Sequence, residues 1–169
     1  MNIYEMTKKI IKENKFLSLA TTNNSGELWI APLSYSIDKD FNFYFTTDVE
    51  SKHIQHIREN PYVCFSIFDS TKNVSEIDGL QIKGIVGEVE KEKLNEIVKD
   101  YYLQVFPNKE ERKAWEAEPE YFLKDEWPVY RFFQIMPLEI YKRDTENIDV
   151  DRRIEIDIEK LKEVREWKY

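Results

Sequence analysis

The chain has 169 residues, of which 41% are hydrophobic and 14% aromatic, enough for one domain with a real core over 1–169. Lys and Arg total 25 against 33 Asp and Glu, a formal net charge of −8, so the chain as a whole is repelled by nucleic-acid phosphates and by anionic membrane surfaces. No apolar run approaches the ~20 residues of a membrane span, MNIYEMTKKIIKENK lacks the apolar centre of a secretory signal, and a single cysteine, Cys64, excludes an intrachain disulfide framework. A cytoplasmic protein is expected.

In chain order, Asn2 with Glu5 three residues on predicts a capped helix, and Ile3, Met6 and Ile10 recur at helical spacing. FLSLATT and LWIAPLSYSI read as strands joined by the turn residues of NNSGE. In FNFYFTT, Phe41, Phe43 and Phe45 alternate with polar residues and Tyr44, which predicts a strand with one buried face. SKHIQHIREN is helical, with Ile54 and Ile57 on one side and Pro61 as the stop. YVCFSIFD reads as a buried strand, and LQIKGIVGEVE as a long strand whose Gly84 and Gly87 predict a bulge or a close approach. Leu94, Ile97, Val98, Tyr101 and Val105 keep helical register from Lys91 to Phe106. NKEERKAWEAE predicts a second, shorter helix, and VYRFFQIMPLEIYK a last strand in which Pro137 suggests an edge or a bulge. The tail RRIEIDIEKLKEVREWKY fits a strand at Ile154, Ile156 and Ile158 and a helix at Ile158, Leu161 and Val164. About six strands with helices at the flanks predict a mainly β, α+β fold: an antiparallel six-stranded sheet curled into a small barrel, with its core over about 16–144 and a tail over 145–169.

The sequence excludes several chemistries. None of its four glycines builds a dinucleotide fingerprint or a phosphate loop, and no G-x-S-x-G elbow is present. His53 and His56, the two histidines, stand three apart on one short helix, and two ligands do not make a closed metal site; no metal is expected. Trp29, Tyr35 and Trp127 are read as core or interface residues, and Trp115 as the rim of a pocket. No pair of residues stands out as acid and base, so no catalytic side chain is nominated.

What remains is FYFTTDVESKHIQHIRENPYV. A helix start carries bare N–H groups and a partial positive charge, so Lys52 and His53 are mildly repelled there unless an anion joins them. In one reading the hydroxyls of Thr46, Thr47 and Ser51, the Lys52 ammonium and the first amides converge on a phosphate. In the other, Ser51 is an ordinary cap, the threonines are strand formers and Lys52 is solvated.

The ordered set FLSLATT, LWIAPLSYSID, FYFTTDVESKHIQHIRENPYV, LQIKGIVGEVE resembles the FMN-binding split barrel of the pyridoxamine 5'-phosphate oxidase-like superfamily, and within it a small bacterial branch with LW-x-A, FYF-x-T and G-x-Q-x-x-G segments. The resemblance covers Phe16 to Glu90 well and the last strand loosely. It implies FMN at the interface of a homodimer, with the backbone of Ala31, Pro32, Leu33 and Ser34 along the flavin ring. It further implies contacts from Thr46 and Thr47, a phosphate grip by Ser51, Lys52 and His53, and Gln81 approaching from the other subunit. The family often has Arg then Lys where this chain has Lys52 then His53, which predicts a weaker clamp because lysine lacks the bidentate fork. The implied activity is transfer of electrons from NADH or NADPH to a small acceptor. The alternatives are a carrier of FMN, haem or a deazaflavin, with His53 or His56 as a haem ligand, and a barrel without cofactor. The arginine-containing motif by which true pyridoxamine phosphate oxidases hold their substrate is replaced by EVREWKY, so vitamin B6 oxidation is not expected.

Overall fold

The computed structural model describes residues 1–144 and 152–164; the rest of the tail, including most of EVREWKY, lies outside the described residues. Helix α1 (Ile3–Glu13) opens on the predicted capping box, the Glu5 amide donating to Asn2 at 2.9 Å and the Asn2 amide to Glu5 at 2.8 Å. The strands are β1 (Phe16–Thr22), β2 (Leu28–Ser34), β3 (Ser36–Ile37), β4 (Phe43–Asp48), β5 (Tyr62–Phe68), β6 (Gly79–Glu88), β7 (Tyr130–Arg143) and β8 (Arg153–Glu155). Six are long, as expected; β3 and β8 are short additions. The further helices are α2 (Lys52–Glu59), α3 (Leu94–Val105), α4 (Lys109–Trp115) and α5 (Ile158–Glu163). The ambiguous tail is thus strand and helix in series.

The strands form one antiparallel sheet in the order β2-β1-β5-β6-β7-β4-β3, with β8 also on β7. β2 and β3 stand at opposite ends of that order, yet Tyr35 alone separates them in sequence. Consecutive Cα atoms are ~3.8 Å apart, so the sheet must curl until its two ends meet. The covalent chain closes the barrel where no ladder does, which is what makes it split. Tyr35 is buried at this seam, its hydroxyl donating to the Ile11 carbonyl at 2.6 Å.

Phe43, Phe45, Phe65 and Phe133 fill the barrel, with Phe43 edge-on to Phe65 at 5.0 Å and Phe45 stacked on Phe133 at 5.5 Å. A second cluster of Tyr101, Tyr102, Phe122 and Phe132 lies on the other side of β7, under α3. Two strands depart from expectation. β4 is covered on both faces, since Tyr44 is buried as well as Phe43 and Phe45. β5, expected to be buried, alternates instead: Val63, Phe65 and Ile67 point inward and Tyr62, Cys64 and Phe68 are exposed.

Pro137 lies in β7 two residues beyond Ile135, where the β4 ladder ends, and opposite Gly84, where the β6–β7 register shifts, so the expected bulge falls on a stretch of β7 paired on one side only. The bulge accommodates the missing proline N–H. A Cβ on Gly84 would come within 2.7 Å of Ile135 Cγ2 and 2.9 Å of the Met136 carbonyl oxygen. Gly84→Ala is expected to cost about 1–3 kcal/mol of stability by overpacking, read by urea unfolding; a cost below experimental error would show that the bulge yields. Gly87 meets nothing within 4 Å, so no other part of its own chain makes a close approach there.

Candidate functional site

α2 follows β4 across the turn at Asp48, whose carbonyl accepts from the Ser51 amide. The Ser51 carbonyl accepts from the amides of Ile54 and Gln55, both at 3.0 Å, which leaves the amides of Lys52 and His53 ahead of the intrahelical ladder. Ser51 occupies the cap position but its side chain makes no cap hydrogen bond. Its hydroxyl instead lies 3.1 Å from His53 Nε2, which is also 3.1 Å from the Thr47 hydroxyl. Thr47, Ser51 and His53 are therefore one hydrogen-bonded group where β4 passes into α2. Burial of His53 pushes its pKa below the ordinary value, so the ring is neutral at pH 7 and adds no positive charge.

Two expected members of this group are elsewhere. Thr46 and Thr47 are consecutive on a strand and face opposite ways; Thr46 donates to the Arg131 carbonyl at 3.1 Å, so the three hydroxyls do not converge on one point. Lys52 has a partner in its own chain, the Glu27 carboxylate, with both oxygens 2.9 Å from Nζ. Glu27 stands at the end of the β1–β2 turn, and the neighbouring Lys52 holds its pKa below the usual carboxylate range. Sequence reasoning missed it because the pair is separated by 25 positions.

His56 completes this second group. Its ring is buried, with Nδ1 3.3 Å from the Thr21 hydroxyl and Nε2 3.6 Å from Glu27 Oε2. Nε2 has no hydrogen-bond partner. The burial of both histidines was legible: 53, 54, 56 and 57 form one stripe of the helix, and Ile54 and Ile57 mark it as the inner one.

Ala31, Pro32, Leu33 and Ser34 lie on β2, an edge strand bonded to β1 alone. The outer side of its backbone therefore has polar groups free to meet a planar heterocycle. Ala31 points inward and is buried, Pro32 points outward, and the Ser34 hydroxyl lies 2.6 Å from the Tyr101 hydroxyl. Gln81 is on the outer sheet face, accepting from Arg153 Nε at 3.2 Å. The row Pro32, Ser18, Ser66, Gln81 runs across β2, β1, β5 and β6, so three strand spacings, roughly 14 Å, separate Gln81 from β2.

Of the aromatic side chains singled out, Tyr35 is core, whereas Trp29, Trp115 and Trp127 are 47%, 67% and 84% exposed; the core reading of Trp29 and Trp127 is not what the chain shows. A hollow of about 610 Å³ between α1 and α3 is lined by Ile11, Tyr35, Leu103 and Gln104 and by none of the ten expected site residues. Among the described residues no cluster of His, Cys, Asp and Glu could hold a metal ion, and no helix is long and apolar enough to cross a membrane.

A family profile described as pyridoxamine 5'-phosphate oxidase matches residues 3–124. The chain belongs to the pyridoxamine 5'-phosphate oxidase family. A relative, UPF0306 protein plu4501 of Photorhabdus laumondii, is 26% identical over 105 residues, 62% of this chain and 72% of that protein. Among solved structures, a haem-binding protein from Mycobacterium smegmatis superposes with a TM-score of 0.72 at 12% identity, covering 96% of this chain and 61% of that one. HutZ, the haem storage protein from Vibrio cholerae, superposes at 0.62 with 18% identity, covering 81% and 91%. At these identities the structural matches show the fold. Residues Ala31 to Gln81 all fall inside the family match.

Proposed function

We propose that this family member is a flavoprotein, with FMN lying along β2 and its phosphate at the start of α2. The observation that carries the reading is Ser51: a helix-start hydroxyl that leaves its own cap unmade and joins Thr47 and His53 beside two amides outside the helical ladder. A phosphate accepts from such hydroxyls and amides and is favoured by the helix dipole. The open edge of β2 fits the polar rim of an isoalloxazine ring. FMN supplies hydride and electron transfer when bound. The chain's own residues then hold, orient and shield, which agrees with the lack of any acid–base pair. The reaction in this reading takes electrons from NADH or NADPH and passes them to a small acceptor.

The same reading makes the protein a homodimer. The outer face of β1, β2 and β5 presents small residues, Ser18, Ala20, Cys64 and Ser66, framed by the exposed Phe16, Leu28, Ile30 and Phe68, an apolar patch suited to a second copy. Gln81, too far from β2 of its own chain, would reach the partner's cofactor. Ile30→Glu is expected to convert the dimer to monomer in sedimentation and to lower FMN affinity with it; an unchanged dimer would move the interface elsewhere.

The test of the whole is direct. FMN at 100 times its Kd is expected to stabilise the fold by about 2.7 kcal/mol, seen as a raised melting temperature, and NADH or NADPH is expected to bleach the bound flavin without oxygen. No thermal shift with FMN sinks the reading; a shift without bleaching favours a carrier. Haem is the second reading, favoured by the haem-binding proteins of the same fold. Against it, both histidine rings are buried within the chain's own packing: His53 Nε2 is engaged by the Thr47 and Ser51 hydroxyls, and His56 Nε2 faces the Glu27 carboxylate at 3.6 Å. Addition of hemin is expected to give no Soret band that His53→Ala or His56→Ala alters.

A further inference from the structure

Lys52 raises a difficulty for any phosphate at this site, because its ammonium is already chelated by both oxygens of Glu27. A dianion arriving beside that carboxylate meets repulsion as well as attraction. His56 offers the way out. Its Nε2 is the one buried side-chain polar atom of the described residues with no hydrogen-bond partner, and a buried polar atom left bare is costly. It faces Glu27 Oε2 at 3.6 Å, about 0.7 Å beyond an ordinary hydrogen bond. In the tautomer whose Nδ1 accepts from the Thr21 hydroxyl, the ring proton sits on Nε2 and points at that oxygen.

Resting on the flavin reading, we infer that Glu27 is a switchable counter-ion which governs access of the cofactor's phosphate to Lys52. In the free protein Glu27 holds Lys52. When a phosphate engages Lys52, the carboxylate turns from the ammonium to the waiting Nε2–H of His56. One ion pair is exchanged for another, and the bare nitrogen is satisfied in the bound state only. The hairpin need not move, because it is tied down independently: the Asn24 amide donates to the Glu59 carboxylate at 3.1 Å, and the Asn23 side-chain oxygen accepts from the Glu27 amide at 2.9 Å. Asn23 Nδ2 also donates to Glu27 Oε2 at 3.3 Å, so the carboxylate pivots about an existing contact. Arg58, the other cation of α2, is occupied by Glu50 at 3.7 Å. Glu27 is thus a positioning residue that sets how strongly the site prefers a phosphorylated ligand to its dephospho form.

The experiment is a set of anaerobic fluorescence titrations with FMN and with riboflavin, which has the ring and no phosphate. Glu27→Gln removes the competing charge and is expected to tighten FMN about tenfold while leaving riboflavin within about twofold. His56→Asn removes the receiving donor and is expected to weaken FMN by about fivefold, an effect that disappears in the Glu27→Gln background, as two residues acting on one another require. Should the Asn variant fold poorly, the wild-type protein labelled with ¹⁵N reports instead: the His56 Nε2 resonance is expected to shift on addition of FMN and to stay in place with riboflavin. FMN bound equally or more weakly by Glu27→Gln, or an unmoved Nε2 resonance, overturns the exchange while the flavin reading stands. Failure of wild type and Glu27→Gln alike to bind either flavin removes both.

Discussion

Asp78→Ala is expected to destabilise the protein by about 3–5 kcal/mol, the cost of leaving a buried ammonium without its counter-ion. Lys142 has a fully buried side chain (0% exposed), with Nζ 2.6 Å from Asp78 Oδ2 and 3.3 Å from the Arg143 carbonyl. Asp78 also accepts from the Gly79 amide at 2.9 Å, so the pair pins the start of β6 to the end of β7, where Lys142 is itself the register partner of Leu80. Lys142→Met, which removes the charge and keeps the volume, is expected to stay within about 1 kcal/mol of the natural protein. The double variant should recover most of what Asp78→Ala loses. Urea unfolding of the three variants decides it: if Asp78→Ala and the double variant are equally unstable, the loss belongs to the Gly79 amide and not to the stranded lysine.

Lys52→Glu is expected to lower FMN affinity at least tenfold, about 1.4 kcal/mol or more, with riboflavin affinity little changed. The substitution replaces the one cation at the start of α2 by a second carboxylate beside Glu27, so both repel the phosphate. The side chain is 36% exposed and its loss costs the fold little; the melting temperature without ligand is expected to move by a few degrees at most. Equal loss of riboflavin would mean that Lys52 shapes the ring site, and unchanged FMN affinity in the folded variant would remove it from the clamp.

Much of the secondary structure was legible because it rests on local patterns. The Asn2–Glu5 box and the 3.6-residue spacing from Leu94 to Tyr101 are both decided within a few residues of chain. Strand existence was legible for the same reason, but which faces were covered was not: Tyr44 looked like the exposed side of β4, and it is buried beside α3, fifty residues later in the chain. The candidate site was legible in part. Ser51, Thr47 and His53 do assemble, since a strand, a turn and a helix start are contiguous and their geometry is local. Thr46 does not join them, because the alternation of a strand sends it to the other face.

From the order of residues alone came a small antiparallel barrel and the strand–turn–helix segment as the place to look, each resting on local spacings, while the split barrel and the family came from the resemblance of an ordered set of segments from Phe16 to Glu90. Only the folded chain paired Glu27 with Lys52 and buried His56 beside them. Opposite charges far apart in sequence meet through the curvature of a sheet and the docking of a helix on it, and neither is written in any local period.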